Sequence, residues 1–239
     1  MSVVVTPPPA ASGGGVARNA RFSLVFDDYI DPDAMHFGAV LLQSGGVTFD
    51  ATTRLSFVDH AIEVIPRALL IPQNIYLLSV GSLYAMDGRK TPASGLGIRV
   101  GVGSDVVELP AAPPPPTWTE VKSRLSACRL CHSRALGRAD MDLDLDGDPR
   151  DPIYGIIGVT ARSRRDTQTA LPRVAPGDGA RSVLLRKLVG GDPSEAPPGV
   201  TYPALAVDGT IMPPSPMAPL DDETLHAVQA WIDAGALTE

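Results

Sequence analysis

The sequence predicts two domains of different class, an all-β sandwich followed by a mainly α domain. Three observations carry this. Short apolar runs separated by turn residues fill the first half. A run of four prolines, Pro113 to Pro116, then interrupts the chain. Beyond it, capped helical patterns flank the chain's two cysteines, Cys128 and Cys131. The length of 239 residues suits one or two domains, and a hydrophobic content of 44% is enough to build real cores. The net charge of −7 argues against a nucleic-acid partner, because phosphates would be repelled. No apolar run approaches the length of a membrane span.

The β elements follow in order. Val3-Val4-Val5 reads as a first strand. Phe22, Leu24 and Phe26 alternate with Arg21, Ser23 and Val25, so one face can be buried. Further short apolar runs lie at 40–42, 47–49, 55–58, 62–65, 75–80 and 98–102, each bounded by Gly, Pro, Asp or Asn. Many short strands with frequent turn signals indicate a sandwich. Val16-Ala17-Arg18-Asn19, the stretch Asp27-Asp28-Tyr29-Ile30-Asp31-Pro32, the pattern L-x-I-P-x-N-I-Y from Leu69 to Tyr76 and the turn at Asp87-Gly88 sharpen it. Over roughly residues 1 to 106 this patterning resembles the bacterial Ig-like domains of surface and secreted proteins. No chemistry is legible here. His36 and His60 read as loop or surface histidines. Asp27, Asp28, Asp31 and Asp33 read as turn caps in preference to a calcium cluster.

Residues 107–116 read as a linker. Consecutive prolines donate no backbone hydrogen bonds and favour an extended, semi-rigid rod. The second domain then spans 117–239. Thr117-Trp118-Thr119-Glu120 fits a capping box, and Val121, Leu125 and Cys128 fall on one face at helical spacing.

That helix runs into Cys128-Arg129-Leu130-Cys131-His132, or C-x-x-C-H, the attachment signature of haem c. Two thiols reach the two vinyl groups of one porphyrin, and the following histidine becomes the proximal iron ligand. A redox dithiol would expect a thioredoxin-like βαβ setting, which the pattern lacks. A zinc site would need two more ligands at short spacing, which the scattered His36, His60 and His226 do not supply. Haem is normally attached to this motif outside the cytoplasm. The chain opens Met1-Ser2-Val3 with no basic stretch and no apolar core of a signal peptide. The expectation is therefore an export signal, lipoprotein signals included, that has been removed.

A sixth iron ligand is expected from methionine, which raises the reduction potential relative to a second histidine. Met212 in Ile211-Met212-Pro213-Pro214 and Met217 are the candidates, and flanking prolines stiffen the loop. Asp221 is a good N-cap for a closing helix, Leu220 can staple onto Leu225, and Leu225, Val228 and Ile232 form its apolar stripe. Trp231 lies beside that stripe, His226 lies off it, and Gly235 is a stop signal.

The stretch from Ile211 to Ala236, with M-P-P followed by a helix ending W-I-D-A-G-A, resembles the C-terminal signature of planctomycete-type cytochrome c domains. Arg173-Val174-Ala175-Pro176-Gly177-Asp178 and Ser182 to Leu188 resemble their middle segment. The resemblance covers 117–239. It implies Met212 as the distal ligand, with Met217 as the alternative, and Val183, Leu184 and Leu188 covering the porphyrin. Arg173, Arg181 and Lys187 are candidate partners for the propionates. Asp142 to Asp148 begins like an EF-hand loop, but its twelfth position is Ile153 where a bidentate Glu is required.

Together these readings predict an exported, periplasmic or cell-surface, monohaem c-type carrier of single electrons. It would have no substrate turnover of its own, an unknown redox protein as partner, and an Ig-like domain for tethering or partner contact. A surface adhesion or scaffold protein with a structural or sensory haem domain is the alternative from another class. A subunit of a haem peroxidase or oxidase, with one axial position open, is the third.

Overall fold

Phe22 and Leu24 alternate with more exposed neighbours along β2 (Arg21–Val25), and both are fully buried. A computed structural model describes residues 1–9, 15–35, 38–86, 88–91, 97–135, 144–161, 171–189, 212–213 and 217–239. Asp87, His36, Met141, Asp142, Leu143, Ile211 and Pro214, which figured in the sequence reading, lie outside these residues. The chain divides into two compact units, Met1–Ala112 and Pro113–Glu239.

The first unit consists of two four-stranded antiparallel sheets. One contains β1 (Ser2–Thr6), β2, β6 (Ala61–Pro66) and β5 (Ala51–Ser56), ordered β1-β2-β6-β5. The other contains β3 (Val40–Ser44), β4 (Val47–Phe49), β7 (Ile75–Val80) and β8 (Gly97–Gly101), ordered β4-β3-β7-β8. Phe22 pairs with Val64 and Leu24 with Ile62 across β2 and β6. These four side chains share one core with Val40, Leu42, Tyr76, Leu78 and Val80 of the second sheet. The period-2 pattern sends the alternate residues Ile75 and Leu77 outward.

The acidic residues of this unit serve local structure. Asp31 caps a short 3-10 turn by accepting from the Asp33 amide at 2.9 Å. Asp28 faces Arg89 at 3.4 Å, and Asp27 faces the N-terminal ammonium at 3.5 Å. His60 occupies a turn at φ 49°, with its ring 4.1 Å from that of Tyr29. Past β8 the chain stays tied to this unit. The Arg18 amide donates to the Asp105 carbonyl, and the Asn19 side chain both donates to and accepts from the backbone of Val107.

The mainly α cytochrome c-like domain expected after the prolines is not seen. The described part of the second unit holds three short helices, α1 (Trp118–Arg124), α2 (Val183–Val189) and α3 (Asp222–Asp233), of 7, 7 and 12 residues. Taken with the two sheets, the described chain is mostly β. The physical reason lies between α1 and α2. Pro149, Pro152, Pro172 and Pro176 withhold amides that a helix would need. The backbone there makes isolated bridges instead, Ile157 to Val174 and Thr160 to Pro172.

The helices that do form are well terminated. Thr117 and Glu120 exchange side-chain and backbone bonds at the start of α1. Asp221 accepts from the Thr224 amide at 2.7 Å, and Gly235 follows α3 at φ 100°. Trp118 stacks on Trp231 at 5.2 Å, and Arg124 pairs with Glu223 at 2.8 Å, so α1 packs on α3. The buried face of α3 is Thr224, Val228, Gln229, Trp231 and Ile232, with Leu225 only half-buried. Among the described residues no helix is long and apolar enough to cross a membrane.

Candidate functional site

Leu125, almost wholly buried, ends α1, and the chain tightens into a 3-10 turn at Ser126–Leu130. The amides of Cys131 and His132 both donate to the Cys128 carbonyl, at 3.1 and 2.9 Å. One carbonyl thus closes the whole motif into a single helical turn. Positions three and four apart share a face of such a turn, so Cys128, Cys131 and His132 project together. Both cysteines are free thiols, neither exposed nor fully buried.

The turn is braced by the described part, from Asp144 on, of the loop that begins like an EF-hand. The Leu145 amide donates to the His132 carbonyl at 2.8 Å, and Leu145 is buried. Arg129, between the two thiols, pairs with Asp146 at 2.6 Å. That pair, above all other causes, holds the Asp146 carboxyl below its usual range. The Asp144 amide donates to the Tyr154 carbonyl at 2.9 Å, and the Arg134 guanidinium lies 4.2 Å from the centre of the Tyr154 ring. Asp144, Asp148 and Asp151 accept backbone amides of their own turns. The Asp-rich stretch is therefore scaffolding.

The electrostatics separate the readings of C-x-x-C-H. Burial, with Cys131 as a second cause, pushes the Cys128 thiol up. An activated dithiol needs the opposite shift. Burial, then the charges of Lys187 and Arg173, push His132 down, so its imidazole is neutral at pH 7, the form that ligates a metal. Its Nδ1 is buried without a hydrogen-bond partner. Among the described residues no three His, Cys, Asp or Glu gather closely enough to hold a metal ion.

The remaining predicted residues divide clearly. Arg173 and Lys187 both act on His132. The Met212 amide donates to the Lys187 carbonyl at 2.9 Å, which places Met212, half-buried, beside the C-terminal end of α2. Met217 is 40% exposed. Arg181 pairs locally with Asp178 at 3.4 Å, outside this cluster. Val183 and Leu188 are buried, but between them Leu185 is fully buried while Leu184 is half-buried. His226 is exposed, its Nδ1 2.7 Å from the Asp222 carbonyl oxygen. An open cleft of about 540 Å³ lies along Arg150, Ile153 and Ile157 to Thr160, and none of the motif residues lines it.

These residues fit a covalently held haem. Two free thiols share a face with a neutral histidine whose ring Nδ1 is buried without a hydrogen-bond partner, and the Lys187 charge of α2 reaches that histidine. No family model matches the chain, and no curated protein matches it either. Among solved structures, the S-layer protein rSbsC is similar over 41% of this chain and 14% of that one, with 13% identity and a TM-score of 0.30. A likeness at that level assigns neither fold nor activity.

Proposed function

We propose that this chain is an exported one-electron carrier that holds a single haem c through Cys128 and Cys131. The observation that carries the reading is the closure of C-x-x-C-H into one turn, with free thiols and a neutral, incompletely partnered His132 on one face. Each thiol adds its S–H across one porphyrin vinyl group, forming a C–S bond with no leaving group. Bound there, haem supplies a one-electron iron couple. His132 would hold the iron through its ring lone pair, and Leu145 and Arg129 hold its turn in place. Met212, anchored to Lys187, would supply the second side-chain ligand to the iron, with exposed Met217 as the competitor. Val183, Leu185 and Leu188 exclude water from that side. The first unit, read as Ig-like, tethers the carrier or meets its partner at the cell surface or in the periplasm.

The test is mass spectrometry of chain exported together with haem-maturation machinery. The added porphyrin should survive acid-acetone treatment and vanish in Cys128→Ser/Cys131→Ser. Haem that extracts freely into the organic phase sinks the reading. In the ferric protein, a weak sulfur-to-iron band near the red end of the visible spectrum should disappear in Met212→Ala, and the reduction potential should fall. Loss of the band in Met217→Ala instead would transfer the role to Met217.

A further inference from the structure

Leu70 is fully buried, yet its neighbours Leu69 and Ile71 are 47% and 51% exposed. They stand on the loop that joins β6 to β7, and its backbone is held at several points. The Leu70 amide donates to the Arg18 carbonyl at 2.7 Å, and the Arg18 Nε donates back to the Leu70 carbonyl at 3.1 Å. The Ile71 amide donates to the Tyr76 hydroxyl, and the Gln73 amide to the Val102 carbonyl. The same corner fixes a second strip. The Arg18 amide donates to the Asp105 carbonyl, and Asn19 clasps Val107 by bonds in both directions. Val106 and Val107 are left exposed there. Arg18 and Asn19 thus gather four exposed aliphatic side chains onto one platform.

A contiguous apolar patch with a polar rim marks an interaction site. The charges around this one select the occupant. Asp105 and Glu108 bracket the valine strip, whereas Arg67 opens the leucine loop. Arg67 lies 3.9 Å from Asp50, and both side chains remain largely exposed. With acid on one strip and base on the other, the platform complements itself. A two-fold axis that lays each strip on the opposite strip of a second copy brings Arg67 to Asp105 and Glu108 of that copy, twice over. The remaining carboxylates favour the same arrangement. Asp27, Asp28, Asp31, Asp33 and Asp59 lie in loops at the opposite end of the strands, so contact through the platform keeps these like charges far apart. An anionic lipid surface would instead meet Asp105 and Glu108 as well as the arginine.

We propose that this platform is a two-fold interface between two copies of the chain, the 67–71 loop of each seated on the 105–108 strip of the other. It stands independently of the haem reading. Because hydrogen bonds already fix both strips, little ordering remains to oppose association. The test is sedimentation velocity of the full chain over a wide range of concentration, in which the wild type should pass from monomer to dimer. Ile71→Asp and Val106→Asp alter exposed side chains and should each weaken association roughly tenfold or more, because each puts an unpaired carboxylate into the contact. Tyr84→Ser, exposed at the opposite end of the strands, should leave it unchanged. Arg67→Glu should weaken it, and adding Asp105→Arg and Glu108→Arg should recover most of the loss.

A wild type that stays monomeric at every concentration overturns the proposal. A dimer that persists in both Ile71→Asp and Val106→Asp overturns it too, because the contact then lies elsewhere. Failure of the charge exchange to recover any association overturns the crossed pairing of the strips. Binding of a monomeric chain to phosphatidylglycerol vesicles, lost in Ile71→Asp, assigns the platform to lipid and overturns the reading of a second copy.

Discussion

In the first unit the interior is nearly all hydrocarbon: Phe22, Leu24, Ile62, Leu78 and their neighbours, with Ser56 and Thr91 the buried polar residues among those described. In the second, Ser133, Arg173, Ser182, Arg186, Thr224 and Gln229 are buried beside a smaller apolar set. The difference follows from backbone accounting. Strands satisfy their amides and carbonyls in ladders, so their side chains need only pack. Irregular backbone has no ladder, and side chains must do that work. Arg186 donates to the Ala180 carbonyl at 2.6 Å, Ser182 to the Asp178 carbonyl at 2.9 Å, and Asp233 accepts from the Gly179 amide at 3.0 Å. One unit is held by exclusion of water and the other largely by specific bonds around a site.

Phe22→Ala is the strongest way to break this comparison. It should cost the first unit about 3–5 kcal/mol, as expected for a deleted core aromatic. Both tryptophans, Trp118 and Trp231, lie in the second unit, so their fluorescence reports that unit's unfolding. The tryptophan transition should stay in place while the β-type circular dichroism signal melts earlier. Movement of both together would mean a shared core.

Gly155→Ala should have the converse effect and a smaller one. Overpacking against Asp151 and Pro149 should cost about 1–3 kcal/mol. The shift should appear in the tryptophan transition in denaturant and not in the first unit's.

The smallest effect sharpens the picture of the first unit through the ring of His60, packed on Tyr29. Burial lowers the His60 pKa in the folded state, against the opposing pull of Asp28 and Asp59. The unfolded chain therefore binds more protons below the ordinary value of 6.5, and stability falls as pH drops through that value toward the folded pKa. Above it the effect is absent. His60→Asn keeps a residue that tolerates φ 49° and removes the titration. Melting temperatures of residues 1–112 between pH 7.5 and pH 5.5 should fall less steeply in that variant, and an unchanged slope would remove His60 as the cause.

What the sequence disclosed was what its local chemistry determines. Phe22, Leu24 and Phe26 betray a buried face because strand side chains alternate, and Thr117 and Asp221 betray helix starts because their oxygens meet free amides. Cys128, Cys131 and His132 are likewise a local arrangement, since their spacing alone puts them on one turn. The mainly α expectation failed where order depends on distant partners. Ile157 meets Val174, and Leu145 meets His132, in contacts that no periodicity encodes. The buried stripe of α3 holds Val228 and Ile232 as expected and departs from the reading at Leu225, for a related reason. The neighbouring Asp233 is engaged with Gly179, whose Cβ position also lies against Gln229, and so Gln229 is covered where hydropathy favours Leu225.

The closure of the motif on a single carbonyl has a consequence for how this site can change over generations. Leu130 is 63% exposed, so its identity is nearly free. The number of residues between the thiols is not. One inserted residue would swing Cys131 and His132 together by roughly 100° around the turn and carry them about 1.5 Å along the axis. They would then leave the face that Cys128 occupies. Substitution at this site is a gradual path, whereas insertion or deletion is a cliff.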